Sequence, residues 1–191
     1  MITENKAVFL DRDGVLIEDV HYLSRLDDIK IYENVPGGLA TLKKNGFKLI
    51  MITNQSGVAR GYFTESFVQD TYAFLNLRFG ESGVPLDGMY YCPHYPGGRE
   101  PYNIICNCRK PSPGLIEQAS QDFNINPAKS FMIGDKKCDI ELALNTGVSG
   151  ILVKTGKGEI EAESVSRLYP QIPILNSFSE AINHILENTL S

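Results

Sequence analysis

The sequence predicts a doubly wound α/β fold, a parallel sheet with helices on both faces. Two observations carry this reading. Five short apolar runs are nearly continuous rather than alternating, as strands covered on both faces require. The segments between them carry helix start and stop signals, so strand and helix alternate along the chain. Composition agrees: of 191 residues, 42% are hydrophobic and 21% charged, which is enough apolar content for a core. No linker rich in Pro, Gly or Ser and no repeat divides the chain, so a single domain over residues 1–191 is expected.

In order, Ala7-Val8-Phe9-Leu10 reads as the first strand. The first helix opens at Pro36, a favourable first-turn residue, and stops near Gly46, a good left-handed cap. Leu49-Ile50-Met51-Ile52 is the second strand. A helix after Thr64 carries Phe67, Tyr72, Phe74, Leu75 and Phe79, and Gly80 and Gly83 break it. Met89-Tyr90-Tyr91 is the third strand. Residues 93–113 then hold five prolines and no periodicity; a loop that long is usually functional or separately held together. Ser112 as cap and Pro113 open the next helix. Phe131-Met132-Ile133 is the fourth strand, followed by a helix from about Asp139 to Gly147, and Ile151-Leu152-Val153 is the fifth. The last helix follows Ser177, with Glu180 as the partner in a capping box and Ile182, Ile185 and Leu186 on one face.

The formal net charge of −5 argues against a broad footprint on nucleic acid or an anionic membrane, which needs clustered Lys and Arg. No run approaches the roughly eighteen apolar residues that span a bilayer, and Met1 to Lys6 show no secretory hydrophobic region. A cytoplasmic protein with reduced thiols is expected. With no apolar stripe left over, so is a monomer.

Ligands of open parallel sheets bind at the carboxyl ends of the strands, so the residues there carry the functional signal. They are Asp11-Arg12-Asp13-Gly14-Val15, Thr53-Asn54-Gln55-Ser56-Gly57, Arg109-Lys110-Pro111 before the third helix, and Gly134-Asp135-Lys136 with Asp139 a turn later. Converging carboxylates repel unless a cation neutralises them, and Asp with few His suits a hard ion such as Mg²⁺ beside a substrate phosphate. A second constellation, Cys92-x-His94 with Cys106-x-Cys108, brackets the irregular loop. Three thiolates and an imidazole suit a closed, structural Zn²⁺ site. On spacing alone, three reduced cysteines and an unrelated histidine remain an alternative. Cys138 reads as an ordinary helix residue and His184 as a surface one.

The set Asp11-x-Asp13-Gly14-Val15, Thr53, Lys110 and Gly134-Asp135-x-x-x-Asp139 resembles the haloacid dehalogenase (HAD) superfamily of phosphohydrolases. Phe9 to Gly14, Thr53 to Gly61, Tyr90 to His94, Cys106-x-Cys108-Arg109-Lys110-Pro111 and Gly134-Asp135-Lys136 are similar to its D-glycero-D-manno-heptose-1,7-bisphosphate 7-phosphatase branch, whose neighbour is the histidinol-phosphatase domain. The likeness runs from about Ala7 to Thr155. It implies a three-layer, Rossmann-like domain without a large cap domain, a zinc-bound loop, and removal of the 7-phosphate of the heptose bisphosphate. A histidinol-phosphate phosphatase and a non-catalytic zinc module are the alternatives.

By the same resemblance, Asp11 is the nucleophile and Asp13 the general acid and base. Thr53 and Lys110 stabilise the phosphoryl group. Asp19, Tyr22, Asn54, Gln55, Ser56, Arg109 and Lys110 contact substrate; Lys136 reads as a substrate contact or a partner to Asp11, and His21 as a substrate contact or an exposed flap residue. Mg²⁺ is held by Asp11, the Asp13 carbonyl and Asp135, and structural Zn²⁺ by Cys92, His94, Cys106 and Cys108. Asp139 reads either as a partner holding a water or Lys136, or as a first-turn carboxylate favoured by the helix dipole. Val15 to Glu33 should form a small turn-and-hairpin flap. There the sequence departs from its relatives: it reads Asp19-Val20-His21-Tyr22 where they usually have His then Gly before the Tyr, and Val15 replaces the commoner Thr.

Overall fold

The computed structural model describes residues 4–189. Six parallel strands form one sheet: β1 (Lys6–Leu10), β2 (Phe47–Asn54), β3 (Gly88–Cys92), β4 (Phe131–Gly134), β5 (Ser149–Val153) and β6 (Ile174–Leu175). Their order is β3-β2-β1-β4-β5-β6, so the direction of winding reverses between β1 and β4. In that pair Leu10 lies opposite Ile133, which sets the residues after them, Asp11 and Gly134, side by side at the carboxyl ends.

The helices are α1 (Val35–Lys44), α2 (Gly57–Arg60), α3 (Glu65–Glu81), α4 (Gly114–Phe123), α5 (Lys137–Thr146), α6 (Gly158–Leu168) and α7 (Phe178–Thr189). Strand residues alternate between two cores, as period-two geometry requires. Val8 and Leu10 of β1 join Leu39, Leu42, Leu75, Phe79, Phe178, Ile182 and Ile185 on one face. Ala7 and Phe9 join Leu115, Ile116, Ala119, Leu142 and Ala143 on the other. That two-sided burial is why the strands read as continuous apolar runs.

Most predicted elements are present, with shifts at their ends. Thr64 caps α3 by accepting from the Phe67 N–H at 3.2 Å. Ser112 caps nothing; Pro113 takes the cap position and α4 starts at Gly114. Ser177 Oγ accepts from the Glu180 N–H at 3.3 Å, while the Glu180 carboxylate reaches back to the N–H of Asn176 at 2.9 Å instead of that of Ser177. Three elements were not foreseen, the four-residue α2, helix α6 and the two-residue β6. Chain between Asp13 and Thr53 supplies the flap, α1 and the body of β2, and between Thr53 and Lys110 come α2, α3, β3 and the irregular loop. The flap is a short antiparallel pairing of Ile17 with Ile31, anchored by buried Val15, Leu16, Ile17 and Leu23. No helix of the described residues is long and apolar enough to cross a membrane.

Candidate active site

Asp11, Asp13, Asp19, Tyr22, Thr53, Asn54, Gln55, Ser56, Arg109, Lys110 and Lys136 all line one cleft of about 310 Å³ above the β1–β4 switch point. A larger groove of about 760 Å³ lies around the opposite strand ends, and no carboxylate lines it. Chemistry, not volume, selects the cleft.

Asp11 is buried, and its neighbours are cations. Lys110 Nζ lies 2.9 Å from Asp11 Oδ1 and Lys136 Nζ 3.7 Å from Asp11 Oδ2. Burial alone would raise its carboxyl pKa; Lys110 and Lys136 outweigh burial and hold it below the usual carboxylate range. The Arg12 N–H adds a 2.8 Å hydrogen bond to Asp11 Oδ1. The result is a desolvated carboxylate kept ionised, the form in which a carboxylate is nucleophilic.

Lys110 is placed with care. Its Nζ pairs with Asp139 Oδ1 at 2.6 Å as well as with Asp11, and donates to the Ile52 carbonyl at 3.0 Å. Burial pulls its pKa down, yet Asp11 and Asp139 raise it further, so it stays charged. Asn54 clamps the Lys110 backbone from both sides: its Oδ1 accepts from the Lys110 N–H at 3.0 Å and its Nδ2 donates to the Lys110 carbonyl at 3.1 Å. Asn54, expected to touch substrate, therefore spends its amide on positioning. Asp139 combines two duties. One oxygen accepts from the Lys136 N–H at 3.1 Å, as a first-turn carboxylate does, and the other holds Lys110 rather than a water.

Asp135 is fully buried beside Asp11. Burial first, and then the Asp11 charge, push its carboxyl up to about 7. Lys136 Nζ at 2.9 Å and the Lys157 N–H at 2.8 Å bind it. Two glycines let backbone approach so closely: a Cβ on Gly14 (φ +87°) or on Gly156 (φ +57°) would collide with Asp135 Oδ2. Ligand oxygens of Asp11, Asp135 and Asp139 lie within 4.8 Å of one another. A carboxylate so reluctant to ionise among its peers marks a place where a divalent cation fits.

Asp13 is held differently. Arg12, itself 2% exposed, binds both oxygens of Asp13 at 2.9 Å. Gln55 Nε2 donates to Asp13 Oδ2 at 3.1 Å and to Thr53 Oγ1 at 2.8 Å. On the flap, Asp19 Oδ1 accepts from the His21 N–H at 2.8 Å, and the Tyr22 ring lies 4.5 Å from Tyr62. His21 adopts φ +69°, the left-handed region that favours glycine, the residue that the resemblance led one to expect at this point.

The four Cys/His side chains converge as a separate cluster. Cys92 Sγ lies 3.5 Å from Cys106 Sγ and 3.8 Å from His94 Nδ1; Cys108 Sγ lies 3.2 Å from both His94 Nδ1 and Cys106 Sγ. All four cysteines of the chain are free of disulfides. A tetrahedron with Zn–S bonds of about 2.3 Å has edges of about 3.8 Å, so small adjustments bring these atoms around one ion. Burial raises the Cys92 thiol, which needs a metal to give up its proton. The cluster ties β3 to the segment that delivers Arg109 and Lys110. Glu65 of α3 adds a second tie, accepting from the hydroxyls of Tyr91 and Tyr102, both at 2.7 Å.

The cleft also contains residues to which sequence reasoning gave no role there, notably Arg12, Phe63, Cys138 and Lys157, and it is lined by His21 of the flap as well. Lys157 follows the carboxyl end of β5, so the strand-end rule carried as far as the fifth strand would have found it. Cys138 sits in the first turn of α5, where burial pushes its thiol up to about 12 and so disfavours the thiolate.

Comparison with known proteins agrees with this geometry. A family model described as HAD-hydrolase-like matches residues 107–181. The chain is 45% identical to D-glycero-beta-D-manno-heptose-1,7-bisphosphate 7-phosphatase of Haemophilus ducreyi, over 90% of this chain and 98% of that one. It is 41% identical to the enzyme of the same name from Escherichia coli K12, over 79% and 80%. Among solved structures, the D,D-heptose 1,7-bisphosphate phosphatase of B. bronchiseptica, complexed with magnesium and phosphate, superposes with a TM-score of 0.85 at 25% identity, covering 96% of this chain and 99% of that one. The chain therefore belongs to the heptose-1,7-bisphosphate 7-phosphatase family of HAD-like phosphoric monoester hydrolases.

Proposed function

We propose that this chain, as one domain, is a Mg²⁺-dependent phosphatase that removes the 7-phosphate of D-glycero-beta-D-manno-heptose 1,7-bisphosphate, the substrate for which its relatives are named. The observation that carries the mechanism is Asp11, desolvated yet held ionised by Lys110 and Lys136 beneath a cleft. Asp11 attacks phosphorus; the new O–P bond forms as the ester P–O bond breaks. The bonding pair passes to the sugar oxygen, which takes a proton from the Asp13 carboxyl. Water then attacks the aspartyl-phosphate, Asp13 accepts its proton, and inorganic phosphate leaves as Asp11 returns to carboxylate. Thr53 and Lys110 meet the phosphoryl oxygens.

Asp11, the Asp13 carbonyl and Asp135 would hold Mg²⁺, which supplies Lewis-acid stabilisation of the phosphoryl charge. Cys92, His94, Cys106 and Cys108 would hold structural Zn²⁺. A second phosphate needs cations that the first leaves free. Arg109 pairs with no carboxylate among the described residues: it donates to the His94 carbonyl at 3.3 Å and lies 5.2 Å from the Tyr95 ring centre, while Lys157 lies a loose 4.0 Å from Asp19. Both line the cleft, and they suit the distal phosphate of a bisphosphate. Together with Asp19 and Tyr22 of the flap, they provide the sugar end of the site.

The test compares initial rates on the two heptose bisphosphate anomers and on histidinol phosphate, with Asp11→Asn as a blank. We expect a strong preference for the beta heptose and no phosphate release by the folded variant. A preference for histidinol phosphate overturns the substrate, and activity retained in Asp11→Asn overturns the nucleophile. A folded protein inert towards all three, with zinc bound, is the behaviour of an interaction module.

A further inference from the structure

Arg12 stands between the two catalytic aspartates in the chain, and its guanidinium is buried without touching the cleft's phosphate-facing cations. Its Nε and Nη2 donate to Asp13 Oδ1 at 3.0 and 2.9 Å, and Nη2 also reaches Asp13 Oδ2 at 2.9 Å. The same Nη2 donates to Gln55 Oε1 at 3.1 Å, and Gln55 Nε2 closes the ring on Asp13 Oδ2. Gln55 extends it to the Thr53 hydroxyl. Burying a guanidinium carries a desolvation penalty, and an aspartate whose side chain is 21% exposed could be solvated by water instead. The arrangement fixes a carboxyl that would otherwise rotate freely about two bonds.

We propose that Arg12 is a positioning residue which, with Gln55, holds the Asp13 carboxyl in the orientation from which it protonates the leaving sugar oxygen. The proposal rests on the phosphatase reading above. A purely structural role is the competing account, since the Arg12 carbonyl accepts from the N–H groups of Leu16 and Ile17 at 3.0 and 3.1 Å. Those backbone bonds survive a side-chain substitution, so the two accounts separate. A sugar alkoxide needs Asp13's proton as its bond to phosphorus breaks. A nitrophenolate leaves as a stable anion and needs none. Misplacing the acid therefore slows the alkyl ester selectively, whereas a damaged fold slows both esters alike. The quantity kcat/KM covers steps through P–O cleavage, so hydrolysis of the aspartyl-phosphate does not enter.

The experiment measures kcat/KM on heptose 1,7-bisphosphate and on p-nitrophenyl phosphate for Mg²⁺-loaded wild type, Arg12→Lys, Gln55→Leu and, as reference, Asp13→Asn. Lysine keeps the charge and loses the two-pronged grip. The alkyl-to-aryl ratio should fall by at least about tenfold in Arg12→Lys, in the direction of Asp13→Asn, and less in Gln55→Leu. An unchanged ratio in Arg12→Lys, with both esters slowed equally or neither slowed, overturns the proposal. If Arg12→Lys does not fold, Gln55→Leu decides by the same ratio. Wild-type protein that cleaves neither ester refutes the phosphatase reading and this proposal with it.

Discussion

At the residue scale the site is an exercise in holding charge where water is scarce. Lys110 and Asp11 remain ionised because each is the other's neutraliser, with Asp139 and Lys136 completing the set. Asp135 also pairs with Lys136, but burial and the Asp11 charge outweigh that cation, and its carboxyl rises from 3.8 to about 7. A raised carboxyl binds its proton more tightly in the folded chain than in the unfolded one. Without a cation, this group therefore loses stability for the fold as pH climbs from about 4 to about 7, and the loss is complete above that. A divalent ion on the ionised form reverses the loss. The rise in melting temperature on adding millimolar Mg²⁺ should accordingly be larger at pH 8 than at pH 5.5, each kcal/mol being worth about 2–4 °C at this chain length. Scanning calorimetry at the two pH values checks this, and an equal shift at both would contradict it.

Among the elements, the loop of residues 93–113 depends most on something other than apolar packing. Exposed Ile105 buries nothing, and the loop contains no strand or regular helix. Its fixed points include the Cys/His cluster, the Tyr102 bond to Glu65, the Arg99 N–H bond to the Ala59 carbonyl and the Asn54 clamp on Lys110. Arg109 and Lys110 follow Cys108 directly, so loosening the cluster releases the cations of the site. Cys106→Ser should lower bound zinc from about one atom per chain, lower the melting temperature and reduce turnover. Elemental analysis and calorimetry of the variant check it; a variant that keeps both zinc and stability would show that Cys106 is not needed to hold the loop. This element was legible in sequence because Cys-x-His and Cys-x-Cys bracket a stretch without periodicity. Helix α6 was not: it buries only Gly158 and Val165, too few anchors to print a helical period on a polar segment. β6 has two residues, below the length at which a strand pattern exists.

For the whole molecule, the strand-end rule found most of the cleft because a parallel sheet sends its chemistry to one edge. What it could not give was the partner of each side chain. Asn54 and Gln55 read as substrate contacts, while the fold turns their amides onto Lys110, Asp13 and Thr53. The pairings with Lys110 and Asp13 join residues 40 or more positions apart, and no local pattern encodes them. The site sits on one edge of the sheet and much of the stability on its face, so the two should separate. Ile182 of α7, buried and packed toward Gly38 of α1, lines neither cleft nor cluster. Ile182→Ala should cost about 2–5 kcal/mol in denaturant unfolding and leave turnover at 25 °C unchanged.

The reversal of winding between β1 and β4 also governs when the site comes into being. The Ala7 N–H donates to Ser130 Oγ across 123 positions of chain, and Asp11 meets Asp135 only once that distant pairing has formed. Closing so long a loop makes it a late step in folding. A chain still emerging from the ribosome, with β1 to β3 complete, carries Asp11 and Asp13 but neither Asp135 nor Asp139. The carboxylate cluster of the cleft is assembled only when the second half of the sheet is in place.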